Sequence, residues 1–292
     1  MSANRWTDLD RPPLNEAALR RAVVRPGGLW TALDVVEVTG STNSDLAARA
    51  EWGAAEGALL VAEEQSAGRG RLDRRWSAPP RSGIVFSALL RPAGVPVARW
   101  GWLSLLTGVA VALAVSRTAG VDTALKWPND LLVTVGGEER KTGGILAERV
   151  GGDGVVVGVG LNVTLRADEL PVPAAGSLAL AGARGTTDRD PLLRAVLRSL
   201  ADWYGKWRAA GGDPDDCGLR RTYLAGCSTL GRTVRAELPG GGALVGTAVS
   251  VDGDGQLVVA TADGTERAVG AGDVVHLRPS EDRQPPEDRE GE

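Results

Sequence analysis

Histidine occurs once in this 292-residue chain and cysteine twice. The residue types that usually supply a nucleophile and its base are therefore scarce. Cys217 and Cys227 are too few for a disulfide framework and lack metal-ligand spacing, so both read as reduced thiols. His276, in the alternating stretch "VVHL", reads as a structural strand residue. No excess of positive charge exists: the formal net charge is -4, which gives no general attraction to nucleic acid. The N-terminus lacks a basic start followed by an apolar run and a small-residue cleavage site, and the expected compartment is the cytoplasm. One long stretch is mostly apolar, "WGWLSLLTGVAVALAVSRTAG" from Trp100 to Gly120, but Ser104, Thr107 and Ser116 interrupt it and no basic flank anchors it. It is expected to be a core helix, with no membrane partner.

What is present suffices for a core: 43% of residues are hydrophobic, and the length fits one large domain with a small one. Strand-like "LDVVEV" from Leu33 is followed by "STNSDLAARAEWG", with Ser/Thr/Asn caps, a helical period and a stop at Gly53. "ALLVAEE", "GIVFSALL", "TALKW", "DLLVTV", "TGGILAERV" and "VVVGVGLNVTL" read as further strands, with "EERK" as the turn of a hairpin. Hairpins argue for a mixed, largely antiparallel sheet with helices on one face, an α+β arrangement. A later helix starts at Pro191 and turns Leu192, Leu193, Val196, Leu197, Leu200 and Trp203 to the core. After Gly226, short strands with Gly-Gly and Asp-Gly turns read as a small barrel. The expected division is an N-terminal extension over 1–32, a main domain over 33–225, the barrel over 226–279 and a disordered tail over 280–292.

The stretch "GRGRLDRRW", Gly68 to Trp76, sets arginines among glycines. Glycine lets backbone close around a ligand, and the guanidinium fork matches carboxylates and phosphates. Alone, such a loop is as readily a solvated basic turn. Other segments add weight: "KWPND" (Lys126 to Asp130) packs a cation, a tryptophan, a proline turn and an amide-carboxylate pair into five residues. "KTGGILAE" (Lys141 to Glu148) and "GVGLNV" (Gly158 to Val163) repeat the glycine device beside a lysine and an asparagine.

With "STNS" and "EEQSAGRGR", these motifs resemble the biotin protein ligases in wording and order, from about Val38 to the end of the barrel. The resemblance implies a catalytic domain like that of class II aminoacyl-tRNA synthetases and an SH3-like C-terminal barrel. It implies biotin contacts at Ser41, Thr42, Asn43, Gln65, Arg69, Gly70, Arg71, Lys141 and Gly144. It implies ATP contacts at Arg71, Arg74, Trp76, Lys126, Asn129 and Asn162, with Trp76 stacked on adenine, and catalytic roles for Lys141, Arg71 and Asp130. The sequence departs from the family at Asp73, where the usual pattern has glycine.

The implied reaction joins biotin to ATP as biotinyl-5'-adenylate and then to a lysine of a biotin carboxyl carrier domain of an acyl-CoA carboxylase. Mg2+ is expected on the nucleotide, with no protein ligands identified. The oligomeric expectation is monomer or homodimer. Two rivals are a lipoate-type protein ligase and a biotin-sensing repressor. "GRGR" with "KWPND" and a barrel fits biotin better than lipoate. The forty residues before "STNS" hold one short helix, "NEAALRRAVV", too little for a helix-turn-helix.

Overall fold

The computed structural model describes residues 11–72, 74–184, 188–238, 242–270 and 273–276. Asp73, the first ten residues and the charged tail of 280–292 lie outside the described residues.

Helix α1 (Glu16–Val23) begins at Asn15, whose side chain accepts from Ala18 N, and its buried Leu19 and Val23 bring this N-terminal segment into the main core. Strand β1 (Ala32–Thr39), helix α2 (Thr42–Glu51) and strand β2 (Ala58–Gln65) form a β-α-β unit, and the two strands are parallel. The two-residue strands β3 (Gly68–Arg69) and β4 (Arg75–Trp76) pair as the base of the arginine loop. Next come β5 (Gly83–Leu90), helix α3 (Trp102–Ala119), β6 (Thr123–Lys126), β7 (Asp130–Val135), β8 (Glu138–Val150) and β9 (Gly154–Asn162). The seven-stranded sheet runs β1-β2-β5-β9-β8-β7-β6, antiparallel except at β1-β2.

Both faces of this sheet are covered, which corrects the expectation of helices on one face. Leu59 and Val61 of β2 join the core under α1, α3 and helix α4 (Arg189–Ala209), whereas Leu60 joins Leu46 and Ala50 of α2 with Leu89, Val150 and Val156. Residues one apart on a strand point to opposite faces, so an unbroken apolar run needs a cover on each side.

The segment Val97–Ala119 is long and apolar enough to cross a membrane by length and composition. In the fold α3 is a core helix: Leu103, Leu106, Ala110 and Val115 are fully enclosed, and Gly120 ends it at φ 65°.

Two local expectations are also corrected. The turn between β7 and β8 is Gly136-Gly137, at φ 60° and 84°, and "EERK" is the start of β8. Helix α4 begins at Arg189, capped by Asp188, with Pro191 in its first turn, where no intrahelical donor is needed. Trp203 packs against the core but is only half-buried, with Lys206 over its ring at 5.3 Å, while Tyr204 and Trp207, four and seven residues beyond Leu200, are enclosed in it.

Helix α5 (Leu219–Gly226) leads to the C-terminal antiparallel sheet: β10 (Thr233–Glu237), β11 (Ala243–Val251), β12 (Leu257–Ala260), β13 (Glu266–Val269) and β14 (Asp273–His276), ordered β13-β12-β11-β10-β14. It is fastened to the main domain by indoles from the start of α3 and the β6-β7 turn: Trp102 Nε1 donates to Gly253 O at 2.9 Å and Trp127 Nε1 to Gly255 O at 3.0 Å. Trp127 N also donates to Thr229 Oγ1 at 3.0 Å, an atom that His276 Nε2 approaches to 3.1 Å. Arg232 lies 3.3 Å from Nδ1 and can only donate, so Nδ1 accepts and Nε2–H donates to Thr229. Burial, then the charges of Lys126 and Arg232, push the His276 pKa from 6.5 down to about 4. The ring is a neutral structural group, as its strand context suggested.

The deepest ion pair joins Arg189 to Glu63 at 2.8 Å, with side chains 1% and 6% exposed. Arg189 also donates to Gly83 O and Pro12 O, and Glu63 accepts from Leu14 N. One pair thus ties α4, β2, β5 and the N-terminal segment together.

Arg189→Met should cost about 3–5 kcal/mol in urea unfolding, because it leaves the Glu63 carboxylate buried without its cation. The double variant with Glu63→Gln should recover part of that loss. Histidine linkage gives a second expectation. The folded pKa of His276 is lowered, so the unfolded chain binds more protons between the two values, and the contribution is full above pH 6.5 and lost as pH falls toward 4. His276→Gln should flatten that part of a stability-pH curve measured by urea unfolding.

Candidate active site

A sheet places a side chain on each face at every second residue, so a cavity on a sheet requires residues without side chains. On the α2 face of β9, Val156 is covered by the helix, and then come Gly158 and Gly160. Gly158 is paired with Ser87 and Leu146, and Gly160 with Val85 and Gly144. Above this floor lies a cavity of about 230 Å³.

The glycines are required by what sits on them. A Cβ on Gly158 would lie 2.0 Å from Asn43 Oδ1, and one on Gly160 2.5 Å from the Trp76 ring. The indole of Trp76 therefore rests on Gly160, with its Nε1 buried and unpaired, and reaches over Gly144.

The α2 end of the cavity is built mainly from hydroxyl and amide groups, backed by one internally paired arginine and glutamate. Ser41 caps α2, its Oγ 3.5 Å from Ser44 N. Thr42 donates to Gln65 Oε1 from its N at 2.8 Å and its Oγ1 at 3.0 Å, which leaves Gln65 Nε2 as the donor end of that amide. Ser87 Oγ lies 2.8 Å from Thr42 Oγ1 and 2.6 Å from Asn43 Oδ1. Asn43 Nδ2 donates to Leu146 O at 3.1 Å and to Glu148 Oε2 at 3.0 Å, and Glu148 pairs with Arg69 at 2.7 Å.

The other end is cationic, and a β-bulge aims it. Leu131 pairs with Gly143 but Leu132 with Lys141, so Thr142 is an extra residue and the alternation of β8 reverses there. Lys141 and Gly144 consequently share a face: a Cβ on Gly144 would stand 3.5 Å from Lys141 Nζ. Thr142, turned inward, donates to Asn162 O. Lys141 Nζ pairs with Asp130 at 2.6 Å. Asp130 faces Lys126 across the turn that contains the cis Trp127-Pro128 bond. Asn129 Nδ2 donates to Ile145 O at 2.9 Å, and Arg71 approaches Asn129 Oδ1 at 3.4 Å. Arg71, Arg74 and Arg75 from the arginine loop also line the cavity, where among the described lining residues cations outnumber the Asp130 carboxylate.

Of the expected site residues, Ser41, Thr42, Asn43, Gln65, Arg69, Gly70, Arg71, Arg74, Trp76, Lys126, Asn129, Asp130, Lys141 and Gly144 line this one cavity. Asn162 does not. Its side chain is 3% exposed and donates to Gly176 O at 3.0 Å, fastening the neighbouring segment beside the cavity. The structure adds Ser87 and Glu148, to which no role was given, and Val274 of the C-terminal sheet, which lines the cavity. Ser87 had a signal: it is the single hydroxyl in the otherwise apolar "GIVFSALL".

Residues 35–162 match the biotin/lipoate A/B protein ligase family, and residues 229–277 match the biotin protein ligase C-terminal domain. A biotin–(acetyl-CoA-carboxylase) ligase of Mycobacterium tuberculosis is 45% identical over 278 residues, 93% of this chain and 100% of that protein. Among solved structures, the biotin protein ligase of Aquifex aeolicus in complex with biotin and ATP aligns with TM-score 0.69 and 28% identity, over 85% of this chain and 100% of that one. The Leishmania major biotin protein ligase in complex with biotinyl-5-AMP aligns with TM-score 0.56 and 25% identity, over 82% of this chain and 99% of that one.

The two floor glycines should answer differently to an added methyl group. Gly158→Ala meets an amide held by three hydrogen bonds, one buried and two partly buried, and should cost about 1–3 kcal/mol of stability. Gly160→Ala meets a loop side chain that can move, so stability should stay within about 0.5 kcal/mol while Trp76 is displaced. Urea unfolding measures the first. Acrylamide quenching, compared with and without Trp76→Phe, reads the second.

Proposed function

The chain belongs to the biotin protein ligase family and is an enzyme, and from that membership we propose that it forms biotinyl-5'-adenylate and pyrophosphate from biotin and ATP, then biotinylates one lysine of a biotin carboxyl carrier domain of an acyl-CoA carboxylase. The observation that supports this best is the polarity of the cavity: hydroxyl and amide groups at the α2 end, where the one arginine is paired with Glu148, a glycine floor between, and clustered cations at the far end. Biotin has the matching polarity, a neutral ureido head and an anionic tail. Ser41, Thr42 and Gln65 Nε2 serve the head, and Lys141 meets the carboxylate.

Activation brings that carboxylate against the α-phosphate. Two unit charges about 4 Å apart repel by roughly 4 kcal/mol at an effective dielectric near 20, about a thousandfold in rate. Lys141 and Arg71 oppose that repulsion and stabilise charge as the carboxylate oxygen bonds to phosphorus and the bond to the leaving pyrophosphate breaks. Mg2+ enters as the counter-ion of the phosphates; among the described residues no group of three or more His, Cys, Asp or Glu is gathered to hold it. Trp76 stacks on the adenine, worth about 1–3 kcal/mol, and Lys126, Arg74 and Asn129 serve the nucleotide. In the second step the target amine attacks the acyl carbon and AMP leaves. When biotin draws Lys141 away, Asp130 is released to take the proton that the amine must lose.

The arginine loop closes over biotin first and completes the nucleotide site, so binding is ordered. The same reading takes 33–225 as the catalytic domain and 226–279 as the barrel. It takes the protein as cytoplasmic, a monomer or homodimer, without nucleic-acid or membrane partners.

Lys141→Ala should lower pyrophosphate release with biotin and ATP by at least about a hundredfold, with the circular dichroism spectrum unchanged, since a partly exposed ion pair contributes little to stability. Near-normal turnover in the folded variant would remove Lys141 from the mechanism. Mass spectrometry of a carrier domain incubated with enzyme, ATP and either biotin or lipoate tests the reaction itself. A mass gain with biotin only is expected, and a gain with lipoate overturns the assignment.

A further inference from the structure

Asn43 sits in the triplet that resembles a biotin contact, but its hydrogen-bonding capacity is largely committed inside the protein. Both Nδ2 hydrogens are taken, one by Leu146 O and one by Glu148 Oε2. Its Oδ1 cannot donate, so the proton in the 2.6 Å contact with Ser87 comes from the Ser87 hydroxyl. The side chain is 4% exposed and is wedged against the bare Cα of Gly158. No donor remains for a ligand.

The carboxylate that holds Asn43 also holds the arginine loop. Glu148 Oε1 accepts from Arg69 at 2.7 Å, while Oε2 accepts from Asn43 at 3.0 Å and from Arg69 at 3.3 Å. Arg69 also donates to Ser44 Oγ, one residue after Asn43 in α2. Arg69 belongs to β3, whose pairing with β4 carries Trp76 onto Gly160. A continuous path therefore runs from Ser87 through Asn43, Glu148 and Arg69 to Trp76.

We propose that Glu148 and Asn43 are positioning residues that couple the α2 end of the cavity to closure of the arginine loop, with Glu148 as the joint. The proposal rests on the reading of this cavity as the biotin and ATP site. A single carboxylate spanning the two elements makes their order interdependent: displacing Asn43 releases one anchor of Glu148, which then holds Arg69 less firmly. The ligand-facing work at this end falls to Ser41, Thr42 and Gln65, while Asn43 frames them.

The test begins without ligand, which keeps it independent of the functional reading. Backbone hydrogen exchange of 68–76 is measured in the wild type, Asn43→Ala, Glu148→Ala and the double variant, with melting curves to establish folding. Each single variant should speed exchange in the loop by about tenfold, on the order of one charge-assisted hydrogen bond, and the double variant by no more than the larger single effect. Unchanged exchange in folded Glu148→Ala, or full additivity, overturns the coupling. If Glu148→Ala does not fold, Glu148→Gln, which keeps an acceptor but loses the charge, should give an intermediate effect, and no effect overturns the coupling equally. The second measurement is pyrophosphate release. Glu148→Ala should raise KM for biotin by about tenfold while kcat at saturating biotin changes less than about twofold; a loss confined to kcat overturns the positioning role. A wild type that releases no pyrophosphate would count against the functional reading and leave the exchange result standing.

Discussion

A β-sheet is obliged to cover its own faces, and the constraint that organises this molecule is the local suspension of that rule on β9 and β8. Apolar side chains continue as far as Val156 and are roofed by α2; beyond it, Gly158 and Gly160, with Gly144 alongside, leave backbone bare. Space for a ligand is therefore created by omission within the sheet itself rather than by a loop held away from it. Everything above the floor is fitted to that gap. Asn43 and Trp76 use it directly, and the Thr142 bulge reverses the strand so that a lysine and a glycine share one face.

The energetics follow the same division. Enclosed aliphatics, the α3-α4 contact and the Glu63–Arg189 pair hold the sheet from the opposite face, where no ligand group is needed. The cavity wall includes half-exposed charges such as Lys141, whose ion pair with Asp130 is worth little to stability and is correspondingly easy to exchange for a ligand. Binding chemistry and folding energy thus occupy different sides of one sheet.

Much of the site was legible because its residues are contiguous. "STNS", "GRGR" and "KWPND" each deliver several lining residues from one turn, and turn chemistry is written locally. What was not legible is non-local. Asn162 is one residue past Leu161 on a strand whose inward residues form the cavity, but the segment around Gly176 takes its amide, and nothing near Asn162 in sequence signals that partner. Ser87 is a single hydroxyl in an apolar strand and Glu148 one of several charges in β8, and their meaning depends on cross-strand register, Ser87 with Gly158 and Glu148 with Val156, and on α2 lying above. The placement of α2 on the far face was hidden because β2 is apolar on both sides, a pattern that tells of burial but not of which helix supplies it.

The turn from Lys126 to Asp130 belongs to the cavity, but its central tryptophan is satisfied elsewhere. Trp127 gives its backbone N–H to Thr229 and its indole N–H to Gly255, and it is almost wholly enclosed. The C-terminal sheet is thereby a cofactor-like completion of the turn, supplying hydrogen-bond acceptors that the main sheet does not own. A grafted barrel lacking those two acceptors would bury two orphaned donors beneath the residues that line the cavity, and a chain shortened before Thr229 would uncover Trp127 itself. Modularity is therefore limited: the small sheet cannot be exchanged as a cassette unless Thr229 and the 253–255 turn travel with it.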